Sequence, residues 1–243
     1  MKIKAFFGIV LLNLLTLSAQ ANTTTQLESS GVTDQDMRIM REAEKYLKSR
    51  PYLIKEVIKD EAQLLQDKSS PSYGPIGAEV TIVDFFDYQC SFCSRMAHEL
   101  EQIRQNNPNI RIVYKEWPIF KERWENSLIA ARTGLNIWNQ LGSDAYLAWH
   151  MGIFSTGHIE GLLTVNDINK VSESVGYKSE YLFNVEEEMN NTDKLARKLG
   201  FTGTPAIIIM PTQGVNADNL TVIPGYVNSG VIKAAVIKAT TKG

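Results

Sequence analysis

The chain has 243 residues, 44% hydrophobic and 21% charged, with a formal net charge of -2. Ordinary Gly (16) and Pro (8) contents exclude collagen-like and disordered classes, and the near-neutral charge gives no electrostatic reason to expect a nucleic-acid partner. Two cysteines cannot form a disulfide scaffold, so their position carries the information rather than their number.

Lys2 and Lys4 precede a short apolar run that ends at Ala19-Gln20-Ala21. A basic start, a greasy stretch and a small-x-small ending predict a signal peptide over residues 1–21. The rest of the chain would then work in an oxidising, export-side compartment, where dithiols are not held reduced. Asn22 to Gly31 reads as a flexible lead. Thr33-Asp34-Gln35-Asp36 predicts a capping box opening a helix, with Met40, Ala43 and Leu47 on one face. Pro51 fits the first turn of a second helix, striped by Ile54, Val57, Ile58 and Leu65. Two short helices bury little against each other. Residues 22–68 are therefore expected to need another surface, and a second copy of the chain is favoured.

Lys68 to Pro75 is a turn-rich linker. The β-branched run from Val80 to Phe86 predicts a buried central strand. A helix from about Cys90 to Asn106 follows, then a strand over Ile110 to Tyr114, which makes a βαβ unit with a parallel pair. Residues 121–198 read as helical throughout. One stripe runs Leu128, Ala131, Leu135 and Trp138; another runs Leu182, Val185, Met189, Thr192, Ala196 and Leu199, stopped by Gly200. Ala206 to Met210 and Leu220 to Ile223 read as a hairpin, and Ser229 to Ala239 as a last helix. The order is β-α-β, a helical insertion, β-β-α.

Cys90-Ser91-Phe92-Cys93 follows the buried strand directly and opens a helix. Thiol exchange needs a thiolate attacker and a second thiol near enough to resolve the mixed disulfide. A helix N-terminus favours the thiolate through its unpaired N–H groups and positive dipole end. Cys93, Met96, Leu100 and Ile103 step along the inward face, which leaves Cys90 at the exposed end as nucleophile and Cys93 as resolving thiol. The competing readings are a structural disulfide, an inert pair and half of a metal site. A disulfide across so short a loop adds little stability. A zinc site would need further ligands, with His98, His150 and His158 scattered along the chain. No metal or cofactor is expected for exchange, although a copper-binding protein using the dithiol as soft ligands is the alternative.

Phe85-Phe86-Asp87-Tyr88-Gln89-Cys90-Ser91-Phe92-Cys93, with Gly203-Thr204-Pro205-Ala206 far downstream, resembles the DsbA family of bacterial periplasmic thiol-disulfide oxidoreductases. The resemblance covers about residues 73 to 242. It implies an α/β protein of thioredoxin fold, residues 69–243, with an inserted helical domain. It further implies that Pro205 is cis and that Thr204 and Pro205 bind substrate backbone. Asp84 would be the buried acid that exchanges a proton with Cys93. Independently of the resemblance, Lys115 on the adjacent strand could neutralise Asp84. Substrates would be exported proteins with thiols or disulfides, and a membrane partner of DsbB or DsbD type would reset the dithiol. The strongly oxidising members carry Pro-His between their cysteines, whereas this chain carries Ser-Phe. Thr204 is similar to the isomerase-type members. The N-terminal helices are similar to the oligomerising segments of the DsbG and ScsC groups, so a homo-oligomer with isomerase as well as oxidase capability is expected.

Overall fold

The computed structural model describes residues 31–180 and 182–241. The expected signal peptide and most of the flexible lead lie outside them. Thr33 forms the capping box with Asp36 and opens α1 (Asp34–Lys48). Pro51 begins α2 (Pro51–Lys59), and a short α3 (Glu61–Leu65) follows. The linker contains an unexpected two-residue strand, β1 (Ser72–Tyr73). Then come β2 (Val80–Phe86), α4 (Ser91–Asn106) and β3 (Ile110–Glu116).

The insertion is broken into α5 (Glu125–Leu141), α6 (Ser143–Ser155), α7 (Val165–Ser174) and α8 (Glu186–Lys198). Residues 156–164 and the described part of 175–185 are not helical, so the insertion is helical in pieces rather than throughout. Leu182 is exposed and lies outside α8. The hairpin is β4 (Ala206–Pro211) and β5 (Thr221–Pro224), and the chain closes with α9 (Ser229–Thr240).

The five strands pair in the order β1-β3-β2-β4-β5. β2 and β3 are parallel, as a βαβ unit requires, while β4 and β5 return antiparallel. Side chains alternate across each strand, so the sheet has two different faces. Ile82, Phe86, Ile112, Ile207 and Ile209 face one cluster, shared with Cys93, Met96, Leu100 and Ile103 of α4. Val83, Phe85, Val113, Ile208 and Val222 face the other.

That second face is covered by Leu195 of α8 and Leu199 just after it, together with Leu47, Leu53, Val57, Leu64 and Leu65 from the N-terminal helices. Met40 and Ala43 pack into the first cluster, which also holds Val231 and Ile232 of α9. The expectation that these stripes need a second copy therefore loses its ground: the chain's own sheet and α9 cover them. Five such buried side chains contribute roughly 10 kcal/mol of transfer free energy as an upper figure. Ion pairs hold the layer as well, with Lys198 of α8 reaching Glu56 at 2.9 Å and Asp60 at 2.6 Å. Of the apolar residues expected on the stripe, Ile58 is left outward.

Candidate active site

β2 ends at Phe86 and a tight turn delivers the cysteines. The Asp87 carboxylate holds this turn, accepting from the Gln89 N–H at 2.8 Å, the Phe120 N–H at 2.9 Å and the Ser127 hydroxyl at 2.7 Å. The Cys90 N–H donates to the Asp87 carbonyl at 3.1 Å. Cys90 thereby becomes the N-cap of α4, in extended backbone geometry, and its sulfur accepts the Cys93 N–H at 3.4 Å. A sulfur thus occupies the place of the usual N-cap oxygen, at the positive end of a helix of 16 residues. Both thiols are free.

The electrostatics divide the pair. The Cys93 thiol donates toward the Cys90 sulfur and, with backbone N–H groups, lowers the Cys90 pKa to about 6 against the opposing effect of burial. Cys93 is pushed the other way, first by burial, then by its donation to Cys90 and by the charges of Cys90 and Asp84. One thiol is a thiolate near neutral pH while its neighbour keeps its proton.

Asp84 sits on β2 in register with Tyr114 and Ile207 and is fully buried, with Oδ1 lacking a hydrogen-bond partner. Alternation puts it on the same face as Ile82 and Phe86, the face that packs on Cys93. Burial first, and the Cys90 charge second, raise its pKa to about 8. The Thr204–Pro205 peptide is cis, and the Thr204 carbonyl lies 3.4 Å from the Cys90 sulfur, where it accepts the S–H of the protonated form. The Thr204 hydroxyl is buried without a hydrogen bond of regular geometry, yet its dipole favours both thiolates. Cys90, Cys93, Asp84, Thr204 and Pro205, spread over 122 positions of sequence numbering from 84 to 205, are thus brought to one end of the sheet.

Residues 81–138 match the model of the DSBA-like thioredoxin domain. BcfH of Salmonella enterica Typhimurium is 30% identical and superposes with a TM-score of 0.68, over 96% of this chain and 99% of that one. The chain belongs to the DsbA-like thiol-disulfide oxidoreductase family. The catalytic domain of Proteus mirabilis ScsC is 26% identical, with a TM-score of 0.66 over 77% of this chain and 98% of its own. A periplasmic thioredoxin-like protein from Salmonella enterica serovar Typhimurium is 29% identical, with a TM-score of 0.61 over 72% and 92%. No curated protein matches the chain in sequence.

One expected contact of this DsbA-like site is absent. Lys115 pairs in register with Phe85, not Asp84, so its side chain leaves from the opposite face of the sheet. Its ammonium donates there to the Gln63 carbonyl at 3.0 Å, Asp67 at 3.0 Å and the Ser70 hydroxyl at 2.7 Å. Asp84 thus has no lysine beside it from that strand, and its carboxyl stays protonated at neutral pH.

Two features next to the DsbA-like dithiol carry no sequence signal. Glu116, at the end of β3, is buried and accepts at Oε1 from the Tyr146 hydroxyl at 2.8 Å and the Tyr88 hydroxyl at 3.0 Å. Burial raises the Glu116 carboxyl and lowers the adjacent His150 to about 3, so this cluster is neutral. Gln89, completely buried, precedes Cys90 and binds the insertion. Among the described residues, no group of three or more His, Cys, Asp or Glu could hold a metal ion.

Proposed function

We propose that the protein forms and isomerises disulfides in exported proteins of the periplasm through Cys90 and Cys93. The observation that carries this reading is the Cys90 sulfur at the N-cap of α4, with the Cys93 N–H and thiol directed at it and cis-Pro205 beside it. Acting as reductant or isomerase, the Cys90 thiolate attacks one sulfur of a substrate disulfide. The substrate S–S bond breaks, a mixed disulfide forms, and the displaced sulfur leaves as a thiolate that takes a proton. Forming the mixed disulfide removes the Cys90 charge that helps hold the Asp84 carboxyl up, and the ionised fraction of Asp84 then accepts the Cys93 proton; the Cys93 thiolate attacks the Cys90 sulfur and expels the second substrate thiol. The substrate gains two electrons and the Cys90–Cys93 pair loses two. Run in reverse, the same steps oxidise a substrate dithiol. Thr204 and Pro205 offer their backbone to the extended substrate during the mixed-disulfide stage.

Thr204 ahead of the cis-proline supports isomerase activity beside oxidase activity. A membrane protein of DsbB or DsbD type would reoxidise or reduce the pair. A homo-oligomer, dimer first, would have to assemble through outward residues such as Tyr52 and Ile58 of α2, because the stripe is occupied within the chain. The copper-binding alternative is not favoured by the DsbA-like family to which the chain belongs. Insulin reduction and refolding of scrambled ribonuclease, run on the protein lacking residues 1–21, test the reading. Turnover in both, abolished in Cys90→Ser, is expected. Stoichiometric Cu(I) retention without turnover would overturn it.

A further inference from the structure

Gln89 joins the nucleophile to the helical insertion. Its main-chain carbonyl accepts the Glu160 N–H at 2.9 Å, and its side-chain Oε1 accepts the next amide, Gly161 N–H, at 2.6 Å. One residue thus holds two consecutive amides of the loop between α6 and α7. That loop is in a demanding conformation. Glu160 has φ +54, the positive-φ non-glycine among the described residues, and Gly161 has φ +94. A Cβ on Gly161 would meet the Trp124 indole nitrogen at 2.6 Å, so the loop is seated on Trp124 from the other side. The next residue, Leu162, is 64% exposed, in a protein whose other large apolar side chains are mostly buried. Phe92, two residues after Cys90, is 49% exposed.

A polar side chain at zero exposure beside a nucleophile has a desolvation cost, and here the Gln89 Nε2 has no hydrogen-bond partner at all. What Gln89 supplies in return is the place of the loop. We propose that Gln89 is a positioning residue that fixes the 157–164 loop next to Cys90, so that Leu162 contacts the polypeptide carrying the disulfide. The inference rests on Cys90 being the attacking thiol. The selected partner is an extended, partly unfolded polypeptide with an apolar side chain near its cysteine. A small disulfide has nothing to reach Leu162 with, and its reaction reports on the sulfur alone.

The test compares two oxidants of the reduced protein, insulin and 2-hydroxyethyl disulfide, by second-order rate constant. Gln89→Met keeps the side-chain length and removes the acceptor; Leu162→Ser changes only an exposed side chain, so it serves even where the first variant folds poorly. Each is expected to slow the insulin reaction about tenfold more than the small-disulfide reaction. The double variant is expected to lose no more than the larger single loss, because both act through one loop. Equal slowing of the two oxidants, no slowing with insulin, or additive losses would each overturn the role of Gln89. Failure of the unaltered protein to react with the small disulfide through Cys90 would instead overturn the underlying reading, and with it this one.

Discussion

Replacing Asp84 by Asn separates what the buried carboxyl costs the fold from what it gives the chemistry. In the folded protein the Asp84 pKa is raised from an ordinary 3.8 to about 8, chiefly by burial. The native state therefore holds a proton between these values that the unfolded chain releases, and stability falls as pH rises through this window. At one pKa unit per 1.36 kcal/mol, the loss attributable to Asp84 reaches about 4 kcal/mol at pH 7 and levels off above pH 8. Asn cannot titrate. Urea unfolding of the reduced proteins at pH 4, 6 and 8 should give a stability difference, variant minus wild type, that grows by about 5 kcal/mol across the range. Contributions of Asp87 and His150 are common to both proteins and cancel, whereas Glu116, Cys90 and Cys93 interact with the Asp84 charge, so their change is part of the measured difference. The same variant should hold a mixed disulfide longer, by about a hundredfold, since Cys93 loses its proton acceptor. A stability difference independent of pH would refute the buried-acid argument; a pH-dependent difference with an unaltered resolving rate would refute the proton transfer alone.

Cys93→Ala should raise the Cys90 titration midpoint from about 6 by about one unit, because the Cys93 thiol is the largest single influence lowering it; ultraviolet thiolate absorbance reads this, and an unmoved midpoint would contradict the assignment. Asp67→Ala leaves the buried Lys115 ammonium without its carboxylate and should cost about 3 kcal/mol in urea unfolding, partly offset by the Gln63 and Ser70 oxygens that remain. Truncation at Ser69 should be worse still, uncovering the face of Val83, Phe85 and Val113, rather than yielding an intact monomeric domain. Gly134→Ala drives a methyl to within 2.8 Å of both Glu116 Oε1 and the Trp149 ring, and should lower stability by about 2 kcal/mol with little change in the Cys90 titration.

The parts of this molecule that were readable in sequence are those fixed by local chemistry. Val80 to Phe86 is a strand because a β-branched apolar run has few other uses, and Thr33 with Asp36 starts a helix because both orphan amides are answered locally. Cys90 was legible as the sulfur at the start of α4 because an apolar strand followed by a cysteine pair leaves the first sulfur at a helix N-terminus. What escaped was decided by partners distant in sequence. The stripe of Met40, Leu47 and Val57 says that something covers it, but not that the covering surface lies in the same chain. Strand β1 exists only because Ser72 and Tyr73 find Val113 and Ile112. Lys115 was misplaced because register, not proximity in sequence, decides which face a strand residue serves. Gln89 and Glu116 look like surface residues, since nothing in their types signals burial.

Which sulfur forms the bond to substrate decides the chemistry of the dithiol most directly. Cys93→Ser and Cys90→Ser, each incubated with a disulfide-bearing polypeptide, quenched in acid and mapped by mass spectrometry, answer that question. The Cys93→Ser protein is predicted to accumulate a stable adduct on Cys90, at least about tenfold above any adduct on Cys93 in the Cys90→Ser protein, because only Cys90 is a thiolate near neutral pH. Equal adducts on the two variants, or an adduct mainly on Cys93, would contradict it.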